Sequence, residues 1–302
     1  EAGEVDSVYK ALSSLLRPMI IAPAGRKLVR CDYSSVEGRV GAWLAGDVAA
    51  VKEYEGDGKI YELAASAIYG CNIEDVTKAQ RQIGKVSELA CGYGGGHNAF
   101  SAMGRAYGVS VPENTARNIV SAWRLSRPYI VAAWTDVERC AIAAHKEKGS
   151  VHECFSGKIK MVVDPHNNMW IRFSSGRFTC LPNFKVELVD SLYGYSEEMS
   201  YSVGHVTPGK GVRVWPRGYL YGGKLFNFCC QGTARDLLVE SMQDLDNYDI
   251  VMHVHDEIVI EVDEDDAEKC LDDMVRVMSV APEWAKGLPL SAVGEISERF
   301  GK

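Results

Sequence analysis

The chain has 302 residues, of which 46% are hydrophobic, so it can bury the core of one large domain or two. No apolar run approaches the roughly 20 residues that span a bilayer, and no secretory signal opens the chain, so we expect no membrane partner. The net charge of -8 argues only weakly against nucleic acid, because it averages away a local basic groove. Nine cysteines without CxxC spacing fit buried thiols in a reducing compartment, which predicts the cytoplasm.

The first informative segment is a buried strand followed directly by a helix. Residues 28–33 are apolar enough for a buried strand, and residues 36–44 repeat apolar side chains at helical spacing. Asp32 is therefore predicted at the carboxyl end of a strand, as either a turn residue or a functional carboxylate. Glu37 follows Ser34 at capping-box spacing, so it is either a helix cap or a side chain with another role.

A second helical segment carries an unusual stripe of side chains. Arg81, Lys85, Leu89 and Tyr93 recur every four residues, which places them on one side of a helix in steps of about 6 Å. The stripe runs from two cations through an aliphatic to an aromatic side chain. A nucleoside triphosphate changes along its length in the same order, from charged phosphates through a sugar to an aromatic base. The alternative is a solvated pair of cations with Leu89 and Tyr93 packed inside.

Three further regions are assigned from their periodicity. Residues 98–148 are predicted to be helical, and residues 151–218 to form short antiparallel hairpins. Residues 221–245 are predicted to return to helix, with Asn227 and Gln231 one turn apart. These two amides can bond the acceptors that every base pair shows in the minor groove, which would hold a duplex without reading its sequence. A solvated polar face is the alternative.

Residues 250–262 are predicted to form a β-hairpin whose turn is the acidic pair Asp256-Glu257. Two-residue hairpin turns favour glycine, and adjacent carboxylates repel unless a cation neutralises them. The pair is therefore either a metal site or a solvated acidic turn. Zinc binding by His253 and His255 is a weaker alternative, because no third and fourth ligand stands at a recognisable spacing.

The end of the chain is predicted to be an amphipathic helix followed by a short tail. Apolar residues recur at helical spacing over residues 263–280. Asp263 is the predicted N-cap, because aspartate satisfies the unpaired N–H groups of a first turn. No further strand is predicted after this helix.

Four segments resemble the conserved motifs of DNA polymerase family A, in the same order along the chain. DYSSVEGR at 32–39, RQIGKVSELACGYG at 81–94 and VHDEIVIEV at 254–262 resemble motifs A, B and C. YGGKLFNFCCQGTARD at 221–236 resembles the segment before motif C, particularly in bacteriophage members. The resemblance covers roughly residues 17–302.

This resemblance implies an α+β fold, in which an antiparallel palm sheet with helices is interrupted by a largely helical fingers subdomain. Residues 1–47 would form the first part of the palm with motif A, residues 48–160 the fingers with motif B, and residues 161–302 the second part of the palm with motif C. The thumb and the 3'-5' exonuclease domain of the family would lie before residue 1.

The resemblance also implies template-directed DNA synthesis from dNTPs in phage or bacterial replication. Asp32 and Asp256 would hold two Mg²⁺ ions, which Mn²⁺ can replace, with the Tyr33 backbone carbonyl as a further ligand. The side chains expected to bind the nucleotide are Arg81, Lys85, Leu89, Tyr93 and Glu37, of which Arg81 and Lys85 also count as catalytic. The side chains expected at the primer-template are Asn227, Gln231, His255 and Glu257.

Two positions depart from the family pattern. Leu89 stands where an aromatic residue is common, which puts sugar stacking and discrimination against dideoxynucleotides in question. Gly223 occupies a place often held by arginine, one helical turn before Asn227. Lys224 is its neighbour in sequence.

The expected partners are primer-template DNA and dNTPs, with an upstream thumb or exonuclease segment or a separate processivity protein. The expected location is the cytoplasm, that of a bacterial host if the chain is phage-encoded. Three other functions stay open. They are a single-subunit RNA polymerase, against which Glu37 at the sugar argues, a metal-dependent nuclease, and a non-catalytic nucleic-acid-binding module.

Overall fold

The computed structural model describes residue 12 and residues 15–56, 58–191, 194–204 and 216–301. The chain forms two compact units, one from residues 1–36 and 234–302 and the other from residues 37–233. Both boundaries lie inside helices. Each unit is described separately, and the predicted divisions after residues 47 and 160 stay predictions.

Helices and antiparallel strands alternate in blocks along the chain, which confirms the predicted α+β class. The strands are β1 (Arg26–Tyr33), β2 (His152–Cys154), β3 (Ile159–Val163), β4 (Met169–Arg172), β5 (Phe178–Leu181), β6 (Lys185–Ser191), β7 (Gly194–Ser202), β8 (Arg217–Leu220), β9 (Asp249–Val254), β10 (Glu257–Asp263) and β11 (Ala292–Ser297). The α-helices are α1 (Val36–Ala45), α2 (Val48–Glu55), α3 (Ile60–Tyr69), α4 (Lys78–Cys91), α5 (His97–Ala106), α6 (Glu113–Ser126), α7 (Pro128–Lys146), α8 (Gly222–Asp244) and α9 (Ala267–Met278).

The first unit contains a four-stranded antiparallel sheet with the order β11-β1-β10-β9. Strand β1 lies in its interior, because its apolar run can be buried on both faces. Leu28 of β1 packs with Val259 and Phe300 in a buried cluster. Near the end of β1, Asp32 lies opposite Glu257 on one side and Val293 on the other. The backbone of Asp32 is therefore held between two neighbouring strands.

The predicted β9–β10 hairpin is present, but its turn is displaced by one residue. The turn consists of His255 and Asp256, and Glu257 is already paired with Val254 as the first residue of β10. His255 takes the left-handed backbone conformation, with φ of 55°, that a glycine-free two-residue turn requires at this position. The predicted Asp256-Glu257 turn is wrong, because Glu257 belongs to β10 and is buried, with 5% of its surface exposed.

Two predictions for the end of the chain are also wrong. Asp263 is the last residue of β10 and makes no side-chain cap, and helix α9 begins at Ala267 after a single 3-10 turn. The predicted tail contains β11, which pairs with β1 at the edge of the sheet. An edge strand needs few apolar residues, because most of its side chains stay at least partly exposed. Its sequence therefore carried little periodic signal.

The second unit contains a helical core that confirms the predicted helices before residue 148. Helices α3 to α6 contribute a shared set of buried side chains, namely Ala64, Val86, Ala90, Cys91, Phe100, Ala116, Ile119, Val120 and Trp123. Trp123 stacks on Trp134 of α7 with their ring centroids 6.3 Å apart. Trp123 and Trp134 therefore pack between helices α6 and α7.

Helix α4 begins at a capping box and crosses α3 at very short range. Thr77 accepts a hydrogen bond from the Gln80 backbone N–H, and the Gln80 side chain accepts one from the Thr77 N–H. At Gly84, a Cβ atom would lie only 2.1 Å from the carbonyl oxygen of Tyr61 on α3. Glycine at this position therefore sets the distance between the two helices.

The remaining strands of the second unit form two antiparallel sheets, with the orders β2-β3-β4-β5 and β6-β7-β8. They confirm the hairpins predicted after residue 151. Within the described residues, no helix is long and apolar enough to cross a membrane.

We predict that Gly84→Ala destabilises the protein by about 1–2 kcal/mol. Overpacking costs about 1–3 kcal/mol, and so short a contact with a backbone oxygen falls in the upper part of that range, above the roughly 1 kcal/mol that alanine gains in a helix. Gly41 of α1 is the matched control, because a Cβ there would meet its nearest atoms at an ordinary 3.7 Å. Urea unfolding measures both variants. A Gly84→Ala protein as stable as Gly41→Ala would contradict the close crossing.

Candidate active site

Two carboxylates lie together where β1 ends and the β9–β10 turn begins. The Tyr33 backbone N–H donates a hydrogen bond to the Asp256 carbonyl oxygen at 3.2 Å, which ties the turn to β1. Burial, followed by the charge and hydrogen bonding of the nearby Asp32 carboxylate, raises the pKa of Asp256 to about 6. The fold therefore holds two like charges close together.

The ligand chemistry of this pair fits a hard divalent cation. Among the described residues, no group of three or more histidine, cysteine or acidic side chains is placed to hold a metal ion. Mg²⁺ is commonly held by one or two carboxylates while substrate phosphates and water fill its remaining positions. Asp32 and Asp256 supply such a pair, and Tyr33 follows Asp32 in the chain. His253 is exposed on its strand and His255 is exposed in the turn, so neither joins a closed zinc site.

The end of β1 is anchored by the buried side chain of Tyr33. Its hydroxyl shares a hydrogen bond with the Ser241 hydroxyl at 2.8 Å. Burial raises the pKa of Tyr33 to about 12, so the phenol stays protonated at neutral pH. This contact fixes the backbone that follows Asp32.

A buried arginine that the sequence did not identify holds Glu257. Arg30 lies two residues before Asp32, and one of its guanidinium nitrogens lies 3.7 Å from the Glu257 carboxylate. A second nitrogen of Arg30 pairs with Glu295 of β11 at 2.5 Å. Glu257 is only 5% exposed. The predicted contact of Glu257 with primer-template stays a prediction.

Helix α4 displays the two predicted cations beside aromatic rings. The guanidinium carbon of Arg81 lies 5.3 Å from the Tyr61 ring centroid, and the Lys85 ammonium lies 5.9 Å from the same centroid. The Lys85 ammonium also lies 5.0 Å from the Tyr107 ring. Cation–π attraction therefore holds both cations at the surface of α4. Arg81 is exposed and Lys85 is half-buried.

The two remaining side chains of the predicted stripe, Leu89 and Tyr93, lie on either side of the end of α4. Leu89 is on α4 with 38% of its surface exposed, which is unusual for a packed leucine. Tyr93 lies beyond the last helical residue, Cys91, so the prediction that one helix carries all four side chains is wrong. Gly92 ends the helix, and the Tyr93 ring packs against Phe226 at 6.1 Å.

Three predicted site residues from three motifs meet at Glu37. The Tyr93 hydroxyl donates to Glu37 Oε2 at 3.1 Å, and the Gln231 amide donates to Glu37 Oε1 at 3.5 Å. Burial, with the negative charge of Glu37 among the further causes, raises the pKa of Tyr93 well above its usual range. Both oxygens of Glu37 therefore bond side chains elsewhere in the unit, which argues against a purely capping role.

The segment after α4 is held by contacts that leave no room for side chains at the start of α8. At Gly223, a Cβ atom would lie 2.2 Å from the Tyr93 carbonyl oxygen. The Trp134 indole N–H donates to the Gly92 carbonyl at 3.0 Å, and Arg124 donates to the Gly95 carbonyl at 3.2 Å. The packing around Tyr93 therefore requires glycine at position 223, where the family often has arginine.

The remaining predicted side chains lie at the surface. Asn227 is half-buried on α8, one turn before the exposed Gln231. His255 is exposed in the hairpin turn next to Asp256. These positions leave the two amides on one side of α8, at the spacing that the sequence predicts.

One unit thus carries a carboxylate pair suited to a divalent cation, and the other carries a helix with two cations. In proteins generally, carboxylates that hold divalent cations and side chains that carry positive charge both occur in sites that transfer phosphoryl groups. The family described as DNA polymerase family A matches residues 7–162, which is more than half of the chain. The chain belongs to DNA polymerase family A.

Individual relatives agree with this assignment. The chain is 38% identical over 295 residues to a DNA polymerase of Bacillus phage SP02, covering 96% of this chain and 44% of the relative. It is 24% identical over 274 residues to DNA polymerase I of Pseudomonas aeruginosa, covering 88% and 24%. Identity to the thermostable DNA polymerase I of Thermus aquaticus is 24% over 302 residues, covering 98% and 29%. The chain therefore spans less than half the length of each relative.

The fold has a counterpart among solved structures. The POL domain of Pol1 from M. smegmatis, in complex with DNA primer-template and dNTP, matches with a TM-score of 0.58 and 15% identity. The match covers 98% of this chain and 43% of that one. At this identity the likeness concerns the fold, and it confirms the α+β polymerase fold expected from the motifs.

We predict that Tyr93→Phe destabilises the protein by about 1 kcal/mol, because it removes one hydrogen bond to a half-exposed carboxylate. Tyr195→Phe is the matched control, since Tyr195 is 74% exposed. Denaturant unfolding of both variants gives the comparison. Equal midpoints for the two would show that the Tyr93–Glu37 contact adds nothing to stability.

Proposed function

We propose that this chain catalyses template-directed DNA synthesis, joining dNTPs to a primer 3'-hydroxyl, in the replication of phage or bacterial DNA. The observation that carries the proposal is the Asp32–Asp256 pair, held where β1 meets the β9–β10 turn in a chain of DNA polymerase family A. The similarity to the phage SP02 polymerase supports the replication setting and a bacterial host cytoplasm as the location.

Asp32 and Asp256 would hold two Mg²⁺ ions, or Mn²⁺ in their place, with the Tyr33 carbonyl as a further ligand. The bound ions would lower the pKa of the primer hydroxyl and neutralise the leaving pyrophosphate. The two aspartates act by position and charge and take no proton. Tyr33 and Ser241 hold the strand end that orients Asp32. Arg30 holds Glu257, the residue that follows Asp256, inside the sheet.

The side chains of the second unit would bind the nucleotide. Arg81 and Lys85 would neutralise charge on the triphosphate, which is the main task of protein side chains in phosphoryl transfer. Leu89 and Tyr93 would line the sugar and the base. Glu37, held by hydrogen bonds from Tyr93 and Gln231, would fill the space beside the sugar C2'.

The proposed macromolecular partner is primer-template DNA. Support comes from the M. smegmatis structure of the same fold, which contains DNA primer-template and dNTP. Asn227 and Gln231 would contact the minor groove, and His255 would lie at the primer end beside the metal pair. An upstream thumb or exonuclease segment, or a separate processivity protein, would complete the grip on DNA.

We predict that Asp32→Asn and Asp256→Asn each reduce primer extension by roughly 100-fold or more, because asparagine lacks the charge that binds the cation. Asp265→Asn is the control, since Asp265 is an exposed acid of the same unit. Single-turnover extension with Mg²⁺ measures the rates, and thermal unfolding checks the fold. Extension by either variant at the wild-type rate would refute the metal assignment.

The sugar preference tests the role of Glu37. We predict that Glu37→Ala raises the ratio of kcat/KM for ATP to that for dATP roughly tenfold, because it opens space for the 2'-hydroxyl. The ratio is measured opposite the same template base. An unchanged ratio with a lowered midpoint of thermal unfolding would identify Glu37 as a structural residue and revive the RNA polymerase alternative.

A further inference from the structure

Glu62 is an acidic residue of α3 that lies directly against the proposed phosphate-binding side chains. Its Oε1 atom accepts a hydrogen bond from Nε of Arg81 at 2.6 Å, across 19 residues of chain. The Glu62 side chain is 23% exposed, and that of Arg81 is 45% exposed. The presence of an acid beside the proposed phosphate-binding arginine needs an explanation, because its negative charge would repel an anionic ligand.

The contact follows from the close crossing of α3 and α4. Gly84 lets the α4 backbone approach the Tyr61 carbonyl, and Glu62 is the next residue along α3. Tyr61 also lies under both Arg81 and Lys85. The first turn of α3 is therefore built as a platform for the two cations of α4.

The atom that Arg81 uses for this bond decides what the bond does. A guanidinium has five N–H donors in a rigid, planar fork. Glu62 takes the Nε donor on the inner edge, and within the described residues the two Nη groups of Arg81 make no hydrogen bond to protein. The two Nη groups form one of the edges through which a guanidinium can bind a phosphate with two hydrogen bonds. Glu62 therefore orders the guanidinium without occupying that edge.

We propose that Glu62 is a positioning residue that orients Arg81 for the nucleotide triphosphate and so sets the KM for dNTPs. The inference deepens the proposed polymerase function and rests on it. A long arginine side chain at the surface samples many rotamers, and a carboxylate at Nε restricts it to those that present the Nη edge. Binding of the triphosphate then has less side-chain entropy to remove.

A competing role for Glu62 has the opposite sign. If the carboxylate held Arg81 away from the nucleotide, its removal would lower the KM for dNTPs. A structural role alone would lower the midpoint of thermal unfolding and leave KM unchanged. The direction of the KM change therefore separates the three roles.

The test is single-nucleotide primer extension by Glu62→Ala, Glu62→Gln and the matched control Glu113→Ala. Glu113 makes a 2.6 Å ion pair with Arg117 on the surface of the same unit. We expect KM for the dNTP to rise about threefold in Glu62→Ala with kcat nearly unchanged, the size typical of a part-exposed ion pair. Glu62→Gln, which keeps an acceptor, gives a smaller rise, and Glu113→Ala gives none.

A double-mutant cycle completes the test. In an Arg81→Ala background, Glu62→Ala is expected to have no further effect on KM, because it acts through Arg81. An unchanged or lowered KM in Glu62→Ala, or an equal effect without Arg81, would overturn the proposal. Failure of the proposed function is distinct, since the wild-type protein would then extend no primer in the same assay.

Discussion

The structure depends on the close approach of two carboxylates that ordinary folding would keep apart. Antiparallel pairing of β1 with β10 places Asp32 beside the turn that carries Asp256, and the Tyr33 N–H bonds that turn. Burial and then the nearby negative charge of Asp32 raise the pKa of Asp256, so both oppose its charged form. A bound cation, as proposed above, would neutralise this pair. The surrounding sheet, with Tyr33 and Arg30 buried beside the pair, supplies the rigidity that keeps it in place.

In the second unit, close backbone contacts hold the proposed nucleotide-binding side chains in place. Gly84 brings α3 against α4, and Gly223 brings the start of α8 against Tyr93. Each glycine lets a helix approach a backbone carbonyl to a distance that no other residue permits. The first contact places Tyr61 and Glu62 beside Arg81 and Lys85. The second holds the Tyr93 backbone, while the Tyr93 hydroxyl bonds Glu37.

Glu37 shows how one side chain joins separate stretches of sequence. Its capping-box spacing after Ser34 is a local signal, but its two oxygens bond Tyr93 and Gln231. Those partners lie 56 and 194 residues away in the chain. A carboxylate held at both oxygens has few rotamers available to it, which would suit the proposed role of Glu37 beside the sugar C2'.

Much of the fold could be predicted because its main elements have strong periodic patterns. β1, α4 and the helix α8 lie close to where apolar spacing places them. β11 escaped prediction because an edge strand has few buried side chains. The one-residue displacement of the hairpin turn could not be predicted either, because the buried partner of Glu257, Arg30, lies far away in the sequence. The contacts of Glu62 and Glu37 depend on helix crossings, which no local pattern encodes.

The central claim is that this chain copies a template, and one measurement tests it most directly. A labelled primer is annealed to four templates that differ only in the first unpaired base, and each dNTP is supplied singly with Mg²⁺ to the wild-type protein. The account predicts extension by one nucleotide with the complementary dNTP on each template, and none when the metal is chelated. Primers that stay unextended with every dNTP, or that shorten, would contradict it.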